Sequence, residues 1–226
     1  MKRLIAVGDI HGQRAKLEEL LGKVQPSEVD QLIFLGDYID RGPDSRGVIE
    51  LLIGLRESLP LTIFLKGNHE QMLLNALLET KFVSEAARPD ISSVFLNHSP
   101  FSDIQLFLLN GGLATLQSYA IEQVDDLPPS HLAFIRQTRL YFRKDGFLFV
   151  HAGARNDLPL EQQDEQILLW ERGLAPGDSA IHVVGHTPTA NGLPVFEPGR
   201  YSLDTGAGHG RPLTACEVRT KEYWQA

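Results

Sequence analysis

The sequence predicts an α/β protein whose central sheet is largely parallel. In the first third of the chain, short apolar segments alternate with segments of helical periodicity. The apolar segments are Leu4–Val7, Leu32–Leu35 and Leu61–Leu65, and each ends at or near a glycine. This βαβαβ order joins strands that run in the same direction, with helices packed against the sheet that they form.

Helical patterns occupy the segments that follow these strands. The first has the i, i+3, i+4, i+7 spacing of a helix with one buried face, and its apolar residues are Leu17, Leu20, Leu21 and Val24. The second begins at Asp44 or Ser45, which are good N-caps, and its apolar residues are Val48, Ile49, Leu52 and Leu55. A third helix is expected over residues 70–79, directly after the third strand.

The middle and the end of the chain follow different patterns. Residues 80–143 carry leucine- and phenylalanine-rich helical stretches, and Pro128-Pro129-Ser130 is typical of a helix start. No cluster of chemically reactive residues stands out in this region. Strands are expected again over residues 147–150, 181–184, 200–203 and 213–218. Because no linker or repeat separates these parts, we predict one domain over residues 1–226, with a mainly helical insertion at about 80–143.

Composition excludes several classes of protein. The 226 residues are 42% hydrophobic, which is ordinary for a globular chain and enough for one sizeable core. No apolar run approaches the roughly 18 residues that cross a bilayer, and no signal peptide is recognisable, so a cytoplasmic location is expected. The net charge of −8 disfavours nucleic acid and anionic membranes as partners. The single cysteine, Cys216, excludes an internal disulfide.

Five polar motifs follow the predicted strands directly. They are Gly-Asp-Ile-His-Gly at 8–12, Gly-Asp-Tyr-Ile-Asp-Arg-Gly at 36–42, Gly-Asn-His-Glu at 67–70, His-Ala-Gly at 151–153 and Gly-His-Thr-Pro at 185–188. Ligand sites in α/β sheets form beyond the carboxyl ends of the strands, so these loops are expected to converge. The candidate metal ligands among them are Asp9, His11, Asp37, Asn68, His151 and His186.

These residue types predict a catalytic rather than a structural metal site. Carboxylate, imidazole and amide groups without thiolate suit Mn²⁺, Fe or catalytic Zn²⁺. Six ligands suffice for two ions, with Asp37 as a natural bridge, and two ions can activate a water for direct attack on phosphorus. Arg41 and Arg172 are candidates for binding phosphate oxygens. His69 could donate a proton to the leaving oxygen, oriented by Asp40.

Turns, helix caps and other catalytic motifs are the alternative interpretations of these residues. Each motif alone is common turn or cap chemistry, whereas five in order at strand ends are not. Neither a Gly-x4-Gly-Lys-Ser/Thr loop nor a Gly-x-Ser-x-Gly elbow is present. For His209 and Arg211 the sequence leaves the roles open, although His209 could line the cleft.

As a set, the motifs resemble the signature of the PPP-type serine/threonine protein phosphatases, which are calcineurin-like metallophosphoesterases, and the chain length resembles small bacterial and phage members. The resemblance implies an αββα sandwich of two mixed sheets with helices outside. It also implies that Asp9, His11 and Asp37 hold one metal, most often Mn²⁺, and that Asp37, Asn68, His151 and His186 hold the other. By the same resemblance, His69 paired with Asp40 is the general acid, and Trp170-x-Arg172 places Arg172 at the phosphate with Arg41.

Three functions stay open at this point. The first is hydrolysis of phosphoserine and phosphothreonine in proteins, with phosphotyrosine as a further substrate and no obligate regulatory subunit. The second is symmetrical hydrolysis of a dinucleoside tetraphosphate to ADP. Enzymes of that kind usually carry Ala at the position of Asp40 and Asp at that of Glu70, so this sequence favours the first. The third is a catalytically silent binding module, which retention of all six ligands disfavours.

Overall fold

The computed structural model describes residues 2–85, 101–155, 157–173 and 180–226, with backbone alone for 81–85. Within these ranges there are ten strands: β1 (Leu4–Val7), β2 (Gln31–Phe34), β3 (Ile63–Phe64), β4 (Tyr141–Lys144), β5 (Phe147–Val150), β6 (Ile181–Val184), β7 (Val195–Glu197), β8 (Arg200–Ser202), β9 (Thr214–Glu217) and β10 (Glu222–Gln225). The helices are α1 (Arg14–Val24), α2 (Ser45–Ser58), α3 (Asn68–Glu85), α4 (Asp103–Phe107), α5 (Leu113–Tyr119), α6 (Pro129–Arg136) and α7 (Glu165–Trp170). No helix of the described ranges is both long and apolar enough to span a bilayer.

The strands form two mixed sheets of five. Sheet 1 has the order β10-β9-β1-β2-β3, in which β1, β2 and β3 are parallel and β9 runs against β1. Sheet 2 has the order β4-β5-β6-β8-β7, in which β5, β6 and β8 are parallel. The predicted parallel half is therefore confirmed for β1–β3, and the sandwich of two mixed sheets implied by the resemblance is confirmed for the whole fold.

The two sheets pack face to face through a shared apolar layer. Alternate residues of a strand point to opposite faces, so Leu4 and Ala6 of β1 face sheet 2, where Phe149 and Val183 meet them. Ile5 and Val7 face the other way, into the core formed with helices α1–α3. Strands buried on both faces carry continuous apolar runs, and this is why the central strands were predictable from sequence.

Three edge strands were not predicted from the sequence. β4, β7 and β10 each pair on one side only, and their residues are half-buried or exposed. An edge strand with one solvated face needs no continuous apolar run, so the pattern of Tyr-Phe-Arg-Lys in β4 is weak. β4 also ends the helical part of the predicted insertion before residue 143.

The insertion helices, defined here as residues 101–136, contain α4, α5 and α6, and the helical insertion at about 80–143 stays a prediction. Residues 86–100 of that range lie outside the described residues. Phe107, Leu116 and Phe134 bury against the outer face of sheet 1 and its helices. Pro129 begins α6 as predicted, and Asp44 caps α2 by accepting a bond of 2.7 Å from the amide of Gly47. The division of the chain into one domain stays a prediction.

Asp30 joins the starts of the first two strands. Its carboxylate accepts bonds from the Arg3 amide at 3.0 Å and from the Arg3 guanidinium at 2.7 Å. The amide of Ser27 adds a third bond of 3.0 Å. Burial raises the pKa of Asp30, but these hydrogen bonds outweigh burial and hold the pKa below its ordinary value.

We expect Asp30→Asn to lower the free energy of unfolding by about 2 kcal/mol, since bonds to a charged group are lost. The melting temperature should fall by about 4–8 °C. Because the folded-state pKa is depressed, the stabilisation is complete above the unfolded pKa of about 4 and fades as the pH falls below it. Thermal unfolding of both proteins at pH 7 and in acid tests this; an equal difference at every pH would contradict it.

Candidate metal centre

The predicted ligands lie at the carboxyl ends of strands from both sheets. Asp9 and His11 follow β1, Asp37 follows β2, and Asn68 opens α3. From sheet 2, His151 follows β5 and His186 follows β6. All six side chains are buried or nearly so, with at most 8% of their surface exposed. The structure therefore brings together every ligand that the sequence predicted, although their binding of metal stays a prediction.

Asp37 stands between two groups of possible ligand atoms. Its Oδ2 lies 3.5 Å from His11 Nε2 and 3.9 Å from His69 Nε2. Its Oδ1 lies 3.4 Å from His151 Nε2, in a group completed by His186. One carboxylate oxygen thus faces each group, which is the arrangement of a bridging ligand between two ions.

The first group differs from the set that the resemblance implied. Its mutually close atoms belong to His11, Asp37 and His69, and Asp9 is not among them. One oxygen of Asp9, Oδ2, accepts a bond of 2.9 Å from the amide of His186. The other, Oδ1, is buried with no hydrogen-bond partner. A buried carboxylate oxygen without a partner is costly, and a cation would satisfy it.

Hydrogen bonding around His151 and His186 also fits a cation. His151 Nδ1 lies 2.8 Å from the carbonyl of Leu35 and must donate to it. In the neutral imidazole, Nε2 then carries a lone pair, which faces Asn68 Oδ1 at 2.9 Å. The Nδ1 of His186 lies 2.9 Å from the same oxygen. The lone pairs of His151 Nε2 and Asn68 Oδ1 thus face each other, and they need a proton or a metal ion between them.

Hydrogen bonding also leaves one nitrogen of His11 able to bind a metal ion. Its Nδ1 lies 2.9 Å from the carbonyl of Ile39, which fixes the tautomer and leaves Nε2 as an acceptor. Burial lowers the pKa of His11 to about 3, so the ring is neutral at physiological pH. A neutral imidazole is the form that ligates a metal.

The buried carboxylates of the centre favour the binding of protons or cations. Burial, and then the charges of Asp204 and Asp37, raise the pKa of Asp9 well above its ordinary value. Burial raises the pKa of Asp204 to about 6. Groups that hold protons for this reason exchange them readily for cations. Asp204 was not predicted from the sequence, because its position after β8 becomes significant only when the two sheets are packed together.

Two glycines leave space for the carboxylates. A Cβ on Gly67 would lie 2.1 Å from Asp37 Oδ1, and a Cβ on Gly185 would lie 2.0 Å from Asp9 Oδ1. Any larger residue would displace the side chain that it meets. The glycines of the Gly-Asn-His-Glu and Gly-His-Thr-Pro motifs are therefore required by close approach.

Strained backbone concentrates at the centre. Among the described residues, nine non-glycine residues have positive φ, and five of these are His11, Asp37, Asp40, Arg41 and His186. Such conformations persist only where the surroundings hold them. Glu70 provides part of that support, since its carboxylate accepts bonds of 2.8–2.9 Å from the amides of Asp37, Tyr38 and Gly67. In the sequence Glu70 is only a marker of the family, and this supporting role was not predicted.

The candidate general acid is paired as predicted. His69 Nδ1 lies 2.7 Å from Asp40 Oδ2, and both side chains are almost fully buried. The guanidinium of Arg41 donates to His69 Nε2 at 3.0 Å and to His11 Nε2 at 2.8 Å. The Nε2 edge of His69 and the first ligand group therefore share Arg41 as a neighbour.

Arg172 lies at the other side of the centre. It is exposed, and its Nε lies 3.4 Å from His186 Nε2. The ring of Trp170 packs edge-on against His186, with 6.2 Å between the ring centroids. The Trp-x-Arg motif thus places one cation beside the second ligand group, opposite Arg41.

The residues whose roles the sequence left open lie at the rim. A Cβ on Gly208 would come within 2.6 Å of the His11 ring, so the turn that carries His209 packs directly on this ligand. His209 itself is exposed. Arg211 donates to the carbonyls of Thr189 and Ala190, at 2.9 and 3.3 Å, and holds the two loops together.

Comparisons with known proteins identify the family. The sequence profile of the calcineurin-like phosphoesterases matches residues 2–210. The chain is 46% identical to serine/threonine-protein phosphatase 1 of Salmonella typhimurium, over 94% of this chain and 90% of that protein. It is 28% identical to a symmetrical bis(5'-nucleosyl)-tetraphosphatase of Coxiella burnetii, over 96% of this chain and 88% of that protein. A solved structure described as a candidate diadenosine tetraphosphatase has the same fold, with a TM-score of 0.70, 24% identity and coverage of 100% and 93%.

The chain belongs to the calcineurin-like phosphoesterase family. It is a phosphoesterase with two buried histidine–aspartate groups that suit a dinuclear metal site.

Proposed function

We propose that this calcineurin-like phosphoesterase hydrolyses phosphoserine and phosphothreonine in proteins, with phosphotyrosine as a further substrate. The bond of 2.7 Å between Asp40 and His69 is the observation that carries the proposal. An alkoxide from serine or threonine is a poor leaving group and needs a proton as the bond to phosphorus breaks. A nucleoside diphosphate leaves readily without one. A buried carboxylate–imidazole pair therefore suits a monoester with an alcohol leaving group.

The two ligand groups would hold two divalent cations. His11, Asp37 and Asp9 would serve one, and Asp37, Asn68, His151 and His186 the other. Mn²⁺ is the cation that we propose, because the donor set consists of nitrogen and oxygen atoms and contains no thiolate. The same donor set would also accept Fe or Zn²⁺. When bound, such ions neutralise the substrate phosphate and activate a water.

The remaining site residues bind the phosphate and move the proton. Arg41 and Arg172 flank the centre and would each donate hydrogen bonds to nonbridging phosphate oxygens. In this structure His69 Nε2 accepts from Arg41; once Arg41 turned to the phosphate, the protonated ring of His69 would give its Nε2 proton to the leaving oxygen. Asp40 holds the opposite edge of the ring and stabilises the protonated imidazole before transfer. The substrates proposed as partners are phosphoproteins, without nucleic acid, membrane or an obligate regulatory subunit.

A symmetrical dinucleoside tetraphosphatase is the second candidate. The similarity to the Coxiella burnetii protein extends over 96% of this chain and supports it. The identity of 46% to the Salmonella typhimurium phosphatase, together with Asp40, favours the first candidate. A silent binding module is disfavoured because all six ligands converge.

A competition assay tests the proposal. The protein is stripped with a chelator, reloaded with Mn²⁺, and given a phosphoserine peptide and diadenosine tetraphosphate together. We expect phosphate from the peptide while the dinucleotide stays intact. ADP as the main product would overturn the proposal in favour of the second candidate, and neither product from metal-loaded protein would also overturn it. The Asp37→Asn variant, purified in parallel, reports any contaminating phosphatase.

A further inference from the structure

The insertion helices reach the catalytic loop through Thr115. This residue lies on α5, 75 residues after Asp40 in the chain, and its side chain is completely buried. Thr115 Oγ1 lies 2.6 Å from Asp40 Oδ1 and 2.9 Å from the Asp40 amide. The two carboxylate oxygens of Asp40 are thus divided between Thr115 and His69. Nothing in the sequence motifs marks Thr115, because its partner lies in another segment of the chain.

The donors and acceptors of this network can be assigned. The Thr115 hydroxyl has one proton, and it must go to the carboxylate, which only accepts. Its oxygen then accepts from the Asp40 amide and from the Ser45 hydroxyl, which lies 3.0 Å away. His69 donates its Nδ1 proton to the other carboxylate oxygen. Each polar atom of Asp40 therefore has a partner of the correct kind.

A second contact ties the insertion helices to the same loop. The amide of Arg41 donates to the carbonyl of Gly111 at 3.2 Å. Asp40 and Arg41 both have left-handed backbone conformations, with φ of 72° and 66°. Such conformations are unfavourable for these residues unless neighbouring groups hold them. Thr115 and Gly111 provide hydrogen bonds to the two consecutive strained residues.

We propose that Thr115 is a positioning residue for proton transfer, which holds the Asp40 carboxylate in the plane and orientation that aligns His69 with the leaving oxygen. This inference rests on the proposed hydrolysis of a phosphate monoester with His69 as acid. It assigns to the insertion helices a part in the chemistry, in addition to their packing against the core. Thr115 acts through Asp40 and does not itself contact the substrate.

If Thr115 positions the acid, the effect of losing its hydroxyl depends on the leaving group. A poor leaving group such as an alkoxide depends on the proton from His69, whereas an activated aryl oxide such as 2,4-dinitrophenolate hardly does. Misplacing the acid therefore slows alkyl phosphates far more than activated aryl phosphates. A merely structural defect would lower the rates with both substrates by the same factor.

The test compares Thr115→Val, which has a similar shape but no hydroxyl, with Thr115→Ser, which restores the hydroxyl. Kinetics are measured on metal-loaded protein with O-phosphoserine peptide and with 2,4-dinitrophenyl phosphate. We expect Thr115→Val to lower kcat about 10–100-fold for the peptide, as for loss of a bond to a charged group, and less than about threefold for the aryl ester. KM and metal content should not change. Thr115→Ser should recover most of the loss.

The ratio of the two rates within one preparation keeps the test valid if part of the variant fails to fold, because the active fraction cancels. If Thr115→Val is recovered too poorly to assay, Thr115→Ala is measured in the same way. A second safeguard is the double variant with His69→Asn, in which removal of the Thr115 hydroxyl should no longer change the ratio. An equal loss with both substrates, or an unchanged effect in the His69→Asn background, would overturn the proposal.

Failure of the proposed function would look different. If the wild-type protein cleaves the aryl ester and a small alkyl phosphate but not the phosphopeptide, the protein substrate is wrong. The comparison is then made with the alkyl and aryl esters, and the role of Thr115 is judged from their ratio alone.

Discussion

Replacing His69 by Asn is expected to lower kcat by about 10²–10⁴-fold while two metal ions stay bound, because general-acid catalysis contributes rates of that order. Asn can adopt the backbone conformation at the start of α3, but its side chain cannot deliver a proton to an alkoxide. The carboxylate of Asp40, which lies 2.7 Å from His69 Nδ1, then has no imidazole to orient. Steady-state kinetics on a phosphoserine peptide and elemental analysis of the same sample make the measurement.

The control is His131→Asn, the same change at a buried histidine outside both ligand groups. His131 lies on α6, and its Nδ1 is 2.7 Å from the Tyr119 hydroxyl. This variant should keep the kcat of the folded wild-type protein. Retained turnover in His69→Asn would remove His69 from the mechanism. Loss of one metal ion would instead make it a ligand, as its position in the first group allows.

Replacing Asp37 by Asn is expected to abolish most activity by removing metal. The two oxygens of Asp37 face different ligand groups, at 3.5 Å from His11 Nε2 and 3.4 Å from His151 Nε2. Asn keeps one oxygen and turns an amide toward the other group. Loss of a bridging ligand should weaken metal binding by more than about 100-fold, since even partners of the ligands account for 10–100-fold. Elemental analysis after dialysis, together with titration of Mn²⁺ by calorimetry, measures the loss.

Asp30→Asn is the matched control for this variant. It makes the same chemical change at a buried aspartate that directly precedes β2 and lies outside the metal centre. We expect it to bind two metal ions normally although it melts at a lower temperature. Full metal occupancy in Asp37→Asn would contradict the bridging role of Asp37 and leave its position between the groups unexplained.

Most of the centre could be predicted from the sequence because each ligand lies within a few residues of a strand end. Asp9, Asp37 and His151 follow short apolar runs, and parallel strands bring their carboxyl ends to one edge. Local rules therefore sufficed to name the six ligands. Asp44 was recognisable as the cap of α2 for the same reason, because its carboxylate bonds to the amide of Gly47, only three residues later in the chain.

Other features depended on contacts between distant segments. Thr115 is an ordinary helix residue until α5 packs beside the loop at Asp40. Asp204 comes near the carboxylates of Asp9 and Asp37 only because the two sheets pack together. Edge strands such as β10 carry no continuous apolar run, since one side is solvated. A local sequence pattern cannot predict such contacts. A hydrogen bond between distant segments depends on two positions, and each position by itself is compatible with many residue types.

Periodicity and strand-end motifs act over a few residues, so the parallel half of the fold and the candidate ligands could be predicted from the sequence. The tertiary structure showed how the two oxygens of Asp37 face different ligand groups and how the insertion helices hold Asp40. It also placed Arg41 beside the first ligand group and Arg172 beside the second. The physical reason is that packing of two sheets and an insertion sets distances between residues that are far apart in the chain.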